Sequence, residues 1–296
     1  MTPWVPFVSF PLEWAALALL TAGAIYWERS ALSGVGVEGS VLSAMVGLCL
    51  GYEWTGDYSV AAAAGVAGAL LFALLSSGIL LSLKSDPVVG GFCLSLIPAC
   101  ALGLLTRAAP LRLLREIPPP GLIPGTIFEG TYAEDLIVNP WLMAAPLVLA
   151  LAAFVMLKTP YGLRLRAYSE TPALARSGPL RVALYRVSGA LLGSLWTVPA
   201  AAILLRSHAT SPSLGLGYIA LACAVAARWG FLPGILLAAG PALLRTVRPY
   251  APGDTPGGIG LAAAPFLLAL LYLVFFSRRA LRTAATPQSR LDPDVL

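Results

Sequence analysis

The stretch "SALSGVGVEGSVLSAMVG", Ser30–Gly47, is apolar enough to lie in a lipid bilayer, yet it carries three closely spaced glycines and a carboxylate. Gly34, Gly36 and Gly39 allow backbone turns or a close approach of neighbouring helices that bulkier residues would resist. Glu38 stands among them, where a charge is expensive if hydrocarbon surrounds it. The rest of the chain decides how the stretch is read. Its 296 residues are 58% hydrophobic and only 11% charged, with a mean hydropathy of +0.82. A soluble domain carries about 25% charged residues. The chain therefore reads as one all-α, polytopic integral membrane domain spanning 1–296, with about 8–10 transmembrane helices of roughly 20 residues each.

The same composition excludes several kinds of protein. The net charge of +5 is not a nucleic-acid footprint, because in a membrane chain the distribution of positive charge reports orientation. Cys49, Cys93, Cys100 and Cys223 lie singly inside apolar runs with no paired spacing, so neither a disulfide nor a metal site is indicated. His208 is the only histidine. A histidine-rich metal site or a Ser-His-Asp triad has almost nothing to build on, and no catalytic residue is assigned. The segment "MTPWVPFVSFPLEW" lacks the positive leader region of a cleaved signal peptide and is read as part of the mature chain.

Hydropathy predicts spans near Leu12–Trp27, Val37–Gly51, Val60–Leu83, Val88–Thr106, Trp141–Leu157, Leu184–Leu205, Leu214–Ala227, Leu232–Val247 and Ile259–Phe276. The segment 158–183 and the residues just after it hold Lys158, Arg164, Arg166, Arg176, Arg181 and Arg186 against Glu170 alone; the tail 278–296 holds Arg278, Arg279, Arg282 and Arg290. The positive-inside rule places both in the cytoplasm. Four spans lie between them, so the two placements agree. The loop 107–139 then falls outside. It contains Pro118, Pro119 and Pro120, which cannot continue a helix. It also carries Arg107, Arg112 and Arg115 against the rule. In "SVAAAAGVAGALLFALL", Ser59–Leu75, small residues at helical spacing predict close helix packing.

Within "KTPYGLRLRAYSETPALARSGPLRVALYR", Ser169 or Thr171 can cap a helix with Pro172 in its first turn and Gly178 at its end. The residues alone leave two readings open. One is a short cytoplasmic helix that docks in another protein's groove; the other is a solvated loop with ordinary inside charge.

The segment resembles the coupling region of permease subunits of bacterial ABC importers, whose pattern is close to T-x-F/Y-G-L-R-L-R-A-V-G-E-N-P-x-A-A-x-x-x-G. Thr159, Tyr161, Gly162, Leu163, Arg164, Leu165, Arg166, Ala167, Glu170, Pro172, Ala173, Ala175 and Gly178 match it. Thr171 stands for the usual Asn, Leu174 for an Ala, and Ser169 where Gly is common. "ERSALSGVGVEG" is similar to E-R-S-G-V-V-N-I-G-L-E-G, sharing Glu28, Arg29, Ser30, Gly36, Glu38 and Gly39. "DPVVGGFCLSL" and "GLGYIALACAVAARWGFLPG" resemble two further blocks, in order. The class is that of branched-chain amino acid, ribose and nucleoside permeases, closest to the shorter nucleoside or simple-sugar subunit. Two family amides are replaced here, by Gly34 and Ser95.

The resemblance implies a bacterial inner-membrane permease without a cofactor of its own. ATP would be bound by a separate ATPase, since the Walker pattern G-x-x-x-x-G-K-[ST] is absent from the sequence. It implies as partners that ATPase, a second permease as homo- or heterodimer, an extracytoplasmic solute-binding protein and membrane lipid. Gly34, Gly36, Glu38, Gly39 and Ser95 are the expected pathway or helix-break residues. Arg164, Arg166, Glu170, Pro172, Ala173, Ala175 and Gly178 are the expected ATPase contacts. For Glu38 the residues leave three environments open: a polar cavity, a cation such as Arg29, or a helix N-terminus. Rival readings are a branched-chain amino acid permease and an ion-coupled secondary transporter, for which Glu38 alone is thin support. A membrane-embedded transferase would need Asp-rich or His-containing motifs, and "TYAEDLIV" with His208 supplies a poor one.

Overall fold

The computed structural model describes residues 5–83, 85–108, 140–170, 179–207, 215–247 and 256–283, with helices and no strand among them. In chain order these are α1 (Val5–Arg29), α2 (Gly36–Thr55), α3 (Tyr58–Leu83), α4 (Pro87–Ala108), α5 (Pro140–Lys158), α6 (Pro160–Glu170), α7 (Pro179–Ser207), α8 (Leu216–Ala226), α9 (Phe231–Leu237), α10 (Ala239–Val247) and α11 (Pro256–Thr283). Each predicted span corresponds to helix. Those covering Ser9–Arg29, Tyr58–Leu83, Pro87–Leu105, Trp141–Lys158 and Val182–Leu205 are long and apolar enough to cross a membrane. The chain is a multi-pass membrane protein.

Two departures matter for function. The expected span Leu232–Val247 is two short helices, α9 and α10, meeting at Ala238. α8 has 11 residues; at 1.5 Å per residue that is about 16 Å, roughly half the thickness of a bilayer core. The short pieces gather against the long α1.

α1 lies at the centre. Of its span 72% is buried, as is 67% of that of α7, against 22% for α4 and 17% for α5. Lipid tails are as apolar as leucine, so the exposed Leu147 and Phe154 of α5 suit a lipid-facing surface. The central crossing of α1 and α7 is made by small residues. A Cβ on Gly23 would stand 2.9 Å from the Gly193 carbonyl oxygen, and one on Gly193 2.8 Å from the Trp27 ring. The small-residue stretch of α3 does what its spacing predicts: a Cβ on Gly68 would stand 2.5 Å from the Ser43 carbonyl oxygen of α2.

Candidate functional site

The break between α1 and α2 occupies Ser30–Val35. It turns on Ala31 (φ 57°) and Ser33 (φ 68°), both left-handed, and on none of the three glycines. Of the two roles open to the glycines, turn-making falls instead to Ala31 and Ser33. Backbone bonds close the link, Ser30 N–H donating to the Tyr26 carbonyl at 2.9 Å and Ala31 N–H to that of Glu28 at 2.9 Å. The Glu28 carboxylate also reaches forward, its Oε1 accepting from Gly34 N–H at 2.8 Å. Pairing of this kind resolves the problem of irregular backbone at membrane depth, which is tolerated when it is buried in protein.

The glycines serve close approach. Side-chain atoms of Leu221 and Glu28 stand where a Cβ on Gly34 would go, the Trp27 ring covers Gly36, and the Phe72 ring covers Gly39. α2 runs unbroken through Gly39 to Thr55.

Among the described residues Glu38 has two hydrogen-bond partners, and neither is Arg29. Its Oε1 accepts from the N–H of Gly215 and its Oε2 from that of Gly217, each at 2.6 Å. The first turn of a helix has unpaired N–H groups and a positive dipole end. Glu38 thus caps α8 from a helix far earlier in the chain. Gly215 is left-handed at φ 99°, and a Cβ on Gly217 would stand 2.7 Å from the Glu38 backbone. Only glycine lets the two segments meet so closely. The cap sits deep: Gly39 packs on Phe72, within α3, and Tyr218 of α8 meets α4 at Ser95.

Ser95 is buried. Its hydroxyl donates to the Phe92 carbonyl at 2.7 Å and lies 3.2 Å from the Tyr218 hydroxyl. The rings of Phe92 and Tyr218 are 6.1 Å apart, and Phe266 of α11 lies against Gly215. Tyr218 is a residue that the spans and motifs did not single out.

At the other end of α1, Glu13 and Arg245 of α10 form a buried ion pair, Nε to Oε2 at 2.9 Å, with side chains 3% and 5% exposed. Sequence reading missed both residues. The signal was present in each case, an ionisable residue inside an apolar run, which in a membrane chain calls for a partner.

The basic segment begins with a helix not foreseen, α6. Arg164, exposed, donates to the Tyr185 hydroxyl of α7 at 3.1 Å, which holds its guanidinium pKa above the ordinary value. Arg166 Nε donates to the Gly162 carbonyl at 3.4 Å. Tyr161 meets Ser188 at 2.9 Å, and burial pushes its phenol pKa up. Tyr161 and Tyr168 both pack on the Tyr185 ring, at 5.6 and 5.2 Å. α6 is therefore clamped to α7. Glu170 ends α6; Pro172, Ala173, Ala175 and Gly178, with the expected short helix, lie outside the described residues, as does the loop 109–139.

Along most of its length the chain is similar to permease subunits of ABC transporters of the nucleoside and sugar kind. The chain is 27% identical to the guanosine ABC transporter permease protein NupQ of Bacillus subtilis, over 92% of both chains. It is 26% identical to the nucleoside ABC transporter permease protein NupC of Lactococcus lactis, over 91% of both. A third relative, TsgC13 of Haloferax volcanii, provisionally named as a glucose ABC transporter permease, is 26% identical over 73% of this chain and 68% of its own. No family model matches the chain.

Proposed function

We propose that the chain lines the path by which a nucleoside enters a bacterial cell through the inner membrane. The observation that carries this reading is the similarity to two nucleoside permeases along some nine-tenths of both partners' length. A separate ATPase dimer supplies the energy, a second permease completes the pathway, and an extracytoplasmic binding protein delivers the solute. The segment 158–183 and the tail 278–296 face the cytoplasm, and the loop 107–139 faces outward.

On these terms the ATPase acts on the segment C-terminal to α6. Because α6 is clamped to α7 through Tyr185, and α7 crosses α1 at Gly23 and Gly193, a push there reaches the central helices as a rigid-body movement. Alternating access then opens one side while closing the other. An ion-coupled mechanism is poorly served, since both oxygens of Glu38 are taken by backbone N–H groups.

Deleting the gene in its source cells and restoring it tests the proposal. Guanosine uptake is expected to fall on deletion and return on restoration, with glucose uptake unaffected. The reverse pattern would select a simple sugar, the reading that the third relative favours. Loss of branched-chain amino acid uptake instead would overturn both.

A further inference from the structure

We propose that Tyr218, flanked by Phe92 and Phe266, is a contact face for the base of an uncharged nucleoside, and that Ser95 is its positioning residue. This deepens the nucleoside reading and rests on it. A short helix beginning at membrane depth offers its N–H groups and positive dipole end to anions, and transporters use such termini to hold anionic solutes. In α8 that terminus is already occupied, because Glu38 takes the N–H groups of both Gly215 and Gly217 at 2.6 Å. A second negative group beside the Glu38 carboxylate would be repelled. The site therefore suits a neutral solute and disfavours a nucleotide.

The face that the α8 terminus presents is aromatic. Tyr218 stands one residue past the capped Gly217, only part-buried, and its ring lies 6.1 Å from that of Phe92. Phe92 and Phe266 are 48% and 43% exposed. Two exposed rings and a phenol thus converge from α4, α8 and α11 on the outside of this subunit. The buried Ser95 hydroxyl, 3.2 Å from the Tyr218 hydroxyl, holds the phenol in place. A nucleobase has a π-face on either side and polar edges. Stacking on such rings with one edge hydrogen-bonded to a phenol matches that chemistry.

The test measures initial guanosine uptake by the complete importer in cells, with competition by guanosine monophosphate, after wild-type guanosine uptake has been established. Absence of that wild-type uptake overturns the nucleoside reading itself. Given uptake, Phe92→Ala and Tyr218→Leu are each expected to raise KM about tenfold through loss of base stacking, with maximal rate changed less than about twofold. Tyr218→Phe, which keeps the ring, and Ser95→Ala should raise it about threefold through a lost hydrogen bond. Phe92→Trp should restore KM. Guanosine monophosphate should not compete. Should Tyr218→Leu fail to accumulate in the membrane, Phe92→Ala, at an exposed position, decides. Unchanged KM in Phe92→Ala overturns the proposal, whether the variant is otherwise silent or separates the two permeases, and so does effective competition by the nucleotide.

Discussion

At one end of α1, Glu13 is met by the Arg245 guanidinium at 2.9 Å. Beyond the other end, the Glu38 carboxylate is met, among the described residues, by backbone N–H groups alone, at 2.6 Å. Along α1 alone, Glu13 and Glu28 lie about 22 Å apart at the helical rise. Both regions bury a carboxylate, yet the chemistry of failure differs. In the first, removing one partner takes the countercharge of this pair from a buried charge. In the second, it strands two N–H dipoles. The first joins two helices by a side-chain pair that apolar residues could replace; the second joins α2 to the start of α8 at a contact that only glycine permits.

The largest effect should come from the ion pair. Arg245→Ala leaves Glu13 charged and without its guanidinium, a loss of about 3–5 kcal/mol, and its purified form should unfold at much lower temperature in detergent. The double change Glu13→Gln with Arg245→Leu should recover most of that loss, because a buried pair rarely outperforms apolar packing. Failure of the double variant to recover would show that the pair does more than neutralise itself.

Glu38→Leu comes next. Two buried N–H groups lose their acceptor, at about 1–3 kcal/mol each, so membrane level and uptake should both fall. Glu38→Gln keeps one carbonyl acceptor and should be milder on folding while still reducing uptake. If the leucine variant transports like wild type, the cap is not needed.

Smaller still is Gly36→Ala, which crowds the Trp27 ring 2.6 Å from the new Cβ. Overpacking of this kind costs about 1–3 kcal/mol, read as a lower unfolding temperature. Equal stability would mean that the ring shifts freely and that the α1–α2 junction is looser than the ion-pair end.

The smallest concerns an exposed carboxylate, a control for both buried ones. The Ser59 N–H and hydroxyl hold the Asp57 carboxyl below its usual pKa. A depressed carboxylate contributes stability above its unfolded pKa and loses it as pH falls through the folded one. Asp57→Asn should therefore match wild type in strong acid and fall only slightly below it near neutrality, in unfolding temperature against pH. A large neutral-pH loss would contradict the ranking.

The segment C-terminal to α6 offers a test separate from this series. Ala173→Arg should abolish ATPase co-purification and uptake while the permease stays in the membrane, because a bulky charge overfills a groove built for a small residue. Normal association would count against docking at that position.

The sequence by itself determined the class of environment and the number of apolar runs. Hydropathy is additive along the chain, so each span could be read without knowing its neighbours. It marked Glu38 and the glycines as exceptional for the same reason: a charge or a missing Cβ is visible one residue at a time. Partners are another matter. That Glu38 caps Gly215 and Gly217, that Glu13 finds Arg245, and that Ser95 steadies Tyr218 were decided by the tertiary structure. So was the turn at Ala31 and Ser33, residues with no conformational preference for it. A buried polar group must find whatever complement the packing brings within about 3 Å, and packing joins residues that lie 123 to 232 positions apart in the chain.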